Sequence, residues 1–180
     1  MLRSFGGRAP RVAPCAYVDL SAQVVGDAEI GERSSVWMNT VIRADVNYVR
    51  IGMETNIQDL SVLHVMGNHP LVIGDRVTVG HSVTLHGCTI ENDCLVGMGA
   101  TVLNGVLIGA GSIIAAGAVV SEGTVVPPKS LYMGVPASFK RTLGTKDLET
   151  IRAYAARYVE YRQQYIADCK LQIADSGGAR

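Results

Sequence analysis

Along most of the chain a branched apolar residue returns at every sixth position. Val12, Val18, Val24, Ile30, Val36 and Ile42 form one unbroken series; Ile90, Val96, Val102, Ile108, Ile114, Val120 and Val126 form a second that ends at Tyr132. Members are commonly followed by Gly or Ala, two turn-like residues, then Ala, Ser, Thr or Val, as in Ile30-Gly-Glu-Arg-Ser-Ser and Ile108-Gly-Ala-Gly-Ser-Ile. Six is not a helical period, and a six-residue unit is too short to own a core, so the units must stack on one another. Between the two series the phase slips: Ile51 follows Ile42 by nine, Ile73 follows Leu63 by ten, and Ile90 follows Leu85 by five. The first two slips are insertions of three and four residues and the last a deletion of one. Extra residues in a solenoid emerge as corner loops, where binding features sit.

This pattern resembles the left-handed parallel β-helix of the hexapeptide-repeat family, in which three units make a triangular coil of about 18 residues. The resemblance covers residues 12–136, with residues 1–11 as an N-terminal segment. After Gly144 the spacing changes to Leu148, Ile151, Ala155, Tyr158, Arg162, Tyr165 and Cys169, which predicts an amphipathic helix over 145–175. Thr145 is the expected N-cap and Gly177-Gly178 the expected stop. The fold class expected is therefore mainly β, a left-handed parallel β-helix followed by a C-terminal α-helix that lies along the solenoid or a neighbouring subunit.

Composition narrows the function classes. Sixteen basic and sixteen acidic residues cancel, leaving no single-sign field to draw in nucleic acid or a membrane surface, so a small-molecule substrate is expected. No apolar stretch approaches the roughly 20 residues of a membrane span, and the first fourteen residues carry Arg3, Arg8 and Arg11 but no secretory apolar run. Cys15, Cys88, Cys94 and Cys169 form no C-x-x-C pair and read as reduced thiols, which points to the cytoplasm.

All four histidines, His64, His69, His81 and His86, fall within 23 residues. His64 follows the inward Leu63 and His86 the inward Leu85, and their separation of 22 is one coil plus the four-residue insertion. Their imidazoles therefore stack on adjacent coils, about 4.8 Å apart at the backbone, close enough to converge on one ion. His81 sits two residues past the inward Val79, on the preceding face, and does not converge with that pair inside one chain. A threefold assembly, in which His81 of one subunit completes the site of its neighbour, repairs this and leaves an open fourth position. By the same count Arg43 stacks one coil before His64, and Asp59 shares the slot of His81.

The segments Arg43-Ala44-Asp45, Thr55-Asn56-Ile57-Gln58-Asp59 and Gly80-His81-Ser82-Val83-Thr84-Leu85-His86-Gly87 resemble the motifs of γ-class carbonic anhydrases, and His64 falls where their first ligand lies. The resemblance implies a homotrimer with interface sites, a Zn2+ ion (Fe2+ or Co2+ being alternatives) on His64, His81 and His86, and reversible hydration of carbon dioxide to bicarbonate by a metal-bound hydroxide. It implies that Gln58 orients the reacting oxygen, that Arg43, Asp45 and Asp59 form an interface ion-pair network, and that Arg43 also holds bicarbonate. Asp45 alternatively serves only as trimer glue. Asn56 matches a family position or serves a turn, the preferred reading. Tyr132 reaches the pocket by resemblance or belongs to the core, and His69 is loop structure or a proton relay. The chain departs from the archetype, whose acidic loop and second glutamate are missing: residues 65–71 hold no acid and Val46 follows Asp45. Slow or absent turnover is the consequence. The alternatives are a hexapeptide acyltransferase, a metal-dependent acyl-CoA thioesterase, and a trimeric assembly module.

Overall fold

The computed structural model describes the backbone of residues 1–176 and the side chains of residues 1–168, so the Gly177-Gly178 stop signal and the Cys169 side chain lie outside the described residues. The inward residues of the repeat become three parallel columns. Val24, Ile42, Leu63, Leu85, Val102 and Val120 stack on a first face. Ile30, Ile51, Ile73, Ile90, Ile108 and Val126 stack on a second. Val18, Val36, Ile57, Val79, Val96, Ile114 and Tyr132 stack on a third, one rung per coil of a left-handed β-helix. Nearly all of these side chains are buried, and each Val, Leu or Ile so removed from water contributes about 1.5–3 kcal/mol. The first and second faces merge into one sheet because Gln23–Ile30 and Val41–Ile51 run unbroken through their shared corner.

The insertions lie at that same corner. The three extra residues after Ile42 form a bulge within Val41–Ile51 instead of a separate loop, since Gly26 pairs with Ala44 but Ala28 already pairs with Val49. Gly26 permits this close approach: its φ is +79°, and a Cβ there would lie 2.1 Å from the Ala44 carbonyl oxygen. The second insertion is a tight turn in which Met66 and His69 exchange backbone hydrogen bonds of 3.0 Å. Asn47 Nδ2 donates to the carbonyls of Met66 (3.1 Å) and Gly67 (3.0 Å) and ties the two insertions together.

Both ends of the solenoid are covered by segments without the repeat signature. In residues 1–11, Leu2 and Arg3 pair with Val24 and Val25 and so occupy an exposed edge of the first face. At the other end Ser138–Thr142 folds back antiparallel on Ser130–Met133, a strand that the six-residue count does not reveal. Helix α1 (Thr145–Ser176) lies along the third face of its own chain. Trp37 is its anchor, with the rings of Tyr17, Tyr158 and Tyr165 5.5, 5.4 and 4.9 Å away. Among the described residues no helix is long and apolar enough to cross a membrane.

The N-cap is Gly144, not Thr145. The Gly144 carbonyl accepts from the N–H of Asp147 and Leu148, and Asp147 Oδ2 accepts from the Gly144 N–H at 2.9 Å. A hydroxyl at position 145 is the expected cap, whereas here the Asp147 carboxylate, three residues past Gly144, performs the reciprocal half of the cap. Arg141 donates twice to Asp147 (2.7 and 2.8 Å). The Arg141 guanidinium and then the Gly144 N–H hold the Asp147 carboxyl down to about 2, from an ordinary 3.8. Its stabilising contribution is thus complete above pH 4 or so and disappears as pH falls through about 2. Asp147→Asn should remove that part of the acid transition, seen by helical circular dichroism between about pH 4 and pH 2, without moving the neutral-pH baseline by more than a cap is worth.

Candidate metal centre

The ladder sets the first half of the site. His64 and His86 are Cα partners on adjacent strands of the first face, and Arg43 is the partner of His64 on the strand before. The inward Leu63 and Leu85, both fully buried, make each following residue point outward. The rings meet at 63° with centroids 4.9 Å apart. His64 Nε2 lies 3.2 Å from Asp45 Oδ1, and His86 Nδ1 lies 2.7 Å from Asn104 Oδ1. The two remaining ring nitrogens, His64 Nδ1 and His86 Nε2, face each other at 3.0 Å. With a proton on each outward nitrogen, donated to its oxygen acceptor, the two imidazoles would turn their lone pairs on one point. Nitrogens bound tetrahedrally at 2.0–2.1 Å sit about 3.3 Å apart, so this donor set fits a small divalent cation.

Asp45 belongs to the bulge, and Arg43 Nη1 donates to its Oδ2. Burial pushes the Asp45 carboxyl up, but hydrogen bonds from Arg43, the Val46 N–H and His64 outweigh it and hold the group below the ordinary carboxylate range. His64 is held below the usual imidazole value by burial and by the Arg43 charge, with Asp45 opposing. An anionic partner and a neutral, lone-pair-bearing imidazole are what a metal ligand requires. Cys88 is near in sequence but points inward, and burial pushes its thiol up to about 12, so it supplies no thiolate.

The second half lies on another edge. His81 occupies the turn between the third and first faces, where its Nδ1 is 2.8 Å from Asp59 Oδ2 on the coil before. Among the described residues no three His, Cys, Asp or Glu side chains of one chain gather into a metal site, so His81 is not brought to His64 and His86 within the chain. Gln58, almost fully buried, donates through Nε2 to Asn56 Oδ1 (3.0 Å), while Asn56 Nδ2 donates to Thr78 Oγ1 (3.0 Å). Asn56 is therefore not a turn residue: it stands in the Asn56–Ile57 strand, one before the inward Ile57, and its side chain holds Gln58. This commits the amide nitrogen of Gln58 and leaves Oε1 without a protein partner among the described residues. Gln58 and His81 end a groove of about 560 Å³ between the third face and α1, walled by Met98, Tyr154, Arg157, Tyr158 and Tyr161.

Two other residues stand apart. Tyr132 is three coils beyond the level of His81, at about 4.8 Å per coil, and packs on the core with its ring 6.2 Å from Phe139. Among the described residues it meets no histidine of its own chain; it is partly buried and packs against the core at the end of the solenoid. The His69 ring covers the corner glycines, and a Cβ built on Gly105 would lie 3.3 Å from its Cε1. Conversely, Asn104 and Glu122 join the cluster although the sequence reading passes over them. The signal was available: Glu122 follows Asn104 by 18 residues, and Asn104 follows Gly87 by 17, one coil less the deleted residue.

Comparison with known proteins agrees with this architecture. Family models described as "Bacterial transferase hexapeptide (six repeats)" and "Hexapeptide repeat of succinyl-transferase" match residues 87–122 and 70–103. Carbonic anhydrase of Geobacillus kaustophilus is 44% identical over 167 residues, covering 93% of this chain and 92% of that protein. Mitochondrial gamma carbonic anhydrase 1 of Arabidopsis thaliana is 43% identical over 89% of this chain, which spans only 61% of that protein's length. Among solved structures, a hexapeptide transferase family protein from Anaplasma phagocytophilum superimposes with a TM-score of 0.88 at 36% identity, covering 91% of this chain and 97% of that one.

Proposed function

Given that the chain belongs to the γ-carbonic-anhydrase-like family of hexapeptide-repeat proteins, we propose that it hydrates carbon dioxide reversibly to bicarbonate at a metal centre shared between subunits of a homotrimer. The observation that carries this reading is the pair of imidazole nitrogens, His64 Nδ1 and His86 Nε2, facing each other at 3.0 Å with their other nitrogens engaged by Asp45 and Asn104. His81 of a neighbouring copy supplies the third ligand in this proposal. Its own chain leaves its ring only half-covered at a corner, beside the exposed apolar side chains of Leu60, Val62 and Met98, which suits a face buried in assembly. Zinc is the ion we favour, with Fe2+ or Co2+ compatible with the same imidazole ligands.

His64, His86 and a neighbour's His81 would hold the cation, which when bound would lower the pKa of water to near neutrality and so supply a nucleophile. The protein's own groups do the rest. Gln58 Oε1, free because Asn56 engages Nε2, accepts a hydrogen from the attacking oxygen and orients its lone pair toward carbon dioxide. Arg43, half-exposed and tethered by Asp45, faces the negative charge that grows on bicarbonate. Asp59 holds His81 through Nδ1, which leaves Nε2 of that ring as the ligating atom. In place of an acidic loop the corner carries the turn closed by Met66 and His69, so proton release depends on buffer.

Protein loaded with zinc, its metal content measured, should hydrate carbon dioxide in a stopped-flow assay, and removal of the metal by a chelator should abolish the activity with recovery on adding zinc back. A fully loaded trimer with no hydration above buffer would overturn the reading. The likeness to a hexapeptide transferase favours a second reading, acyl transfer with a histidine base. That activity would survive chelation and would appear with an acyl-CoA donor.

A further inference from the structure

We propose that Asn104 and Glu122 are positioning residues that lock His86 in the tautomer whose lone pair is on Nε2; the inference rests on the reading of His86 as a metal ligand. Asn104 Oδ1 is 2.7 Å from His86 Nδ1, and Asn104 Nδ2 donates to Glu122 Oε1 at 2.8 Å. A carboxylate only accepts, so Glu122 fixes which end of the amide faces it. The oxygen end must then face His86, and an oxygen accepts only from an Nδ1–H. A neutral imidazole with its proton on Nδ1 has its lone pair on Nε2, the atom turned to His64. Direction thus runs along three side chains from an exposed carboxylate on the last coils to the ligand.

The corner is shaped for this contact. Gly87 has φ +52°, and a Cβ there would sit 2.7 Å from both Asn104 Oδ1 and His69 Cβ. Any side chain at 87 would push Asn104 off His86. The deletion before Ile90 places Asn104 over Gly87, one residue past the position stacked on His86, and the amide reaches back along the corner to the ring.

The test uses the full-length protein. In the metal-free state, ring ¹⁵N shifts, assigned to His86 by their loss in His86→Ala, should report Nδ1–H for the wild type. Asn104→Leu should give the Nε2–H tautomer or a mixture and weaken zinc binding about 10- to 100-fold in a competition titration. Glu122→Ala, an exposed change that does not threaten folding, should also mix the tautomers and weaken zinc about 3- to 10-fold. An Nε2–H tautomer in the wild type, or a tautomer and zinc affinity both unchanged in Asn104→Leu and Glu122→Ala, overturns the proposal. A wild-type protein that shows the Nδ1–H tautomer yet binds no zinc overturns the proposed function and leaves the lock standing.

Discussion

Co-expressed His81→Ala and His86→Ala chains, each inert alone, should together recover about a quarter of the wild-type zinc and hydration activity per chain. In the proposed cyclic trimer each site would take His64 and His86 from one subunit and His81 from the next. A homotrimer of either variant therefore lacks a ligand at every interface. A mixed trimer of either composition contains one interface at which an intact His86 meets an intact His81. With random assembly, three-quarters of the trimers are mixed and each has one working site in three, hence about a quarter. The expectation depends on where the structure puts these residues: His64 and His86 share a ladder, while His81 belongs to another edge and, among the described residues, gathers with no other pair of ligands in its own chain. Differently tagged chains purified through both tags give the mixed trimers directly. If these are as inert as their parents, or if His81→Ala alone keeps zinc, the site is not shared between subunits.

The reading of repeat phase carries far here because a solenoid makes sequence distance into geometry. Leu63 and Leu85 are 22 apart and Cα partners, and the same count lays Arg43 on His64 and Asp59 on His81. What escapes the count are contacts that no period encodes. The bulge that delivers Asp45 depends on Gly26, a residue 19 positions earlier that must leave room for a carbonyl. Asn56 reads as a turn residue by type, yet the ladder places it in a strand where its amide orients Gln58. Asn104 is invisible until the deletion before Ile90 is carried into the following coil. Leu2 and Arg3 have no repeat signature at all, and join the sheet because an open edge of backbone donors and acceptors has to be covered.

Replacing Leu85 by alanine should cost about 2–5 kcal/mol, the largest stability loss we expect from a single side chain near the site. Leu85 is fully buried, stacked between Leu63 and Val102 on the first face, and closed in by residues of the other two columns. A coil of six-residue units has no spare layer to collapse into the space, since each rung is held in register by hydrogen bonds above and below. At about 2–4 °C per kcal/mol for a chain of this size, the midpoint should fall by roughly 4–20 °C. Val125→Ala is the control: it is an outward neighbour of a buried repeat residue, is 62% exposed, and should change stability by less than about 0.5 kcal/mol. The scan has to be run in chelator, because any bound metal would add its own stabilisation and Leu85→Ala also loosens the strand that carries His86. If the metal-free Leu85→Ala protein melts with the wild type, the column of inward side chains is not what holds the coils together. The alignment of His86 on His64 would then need another cause.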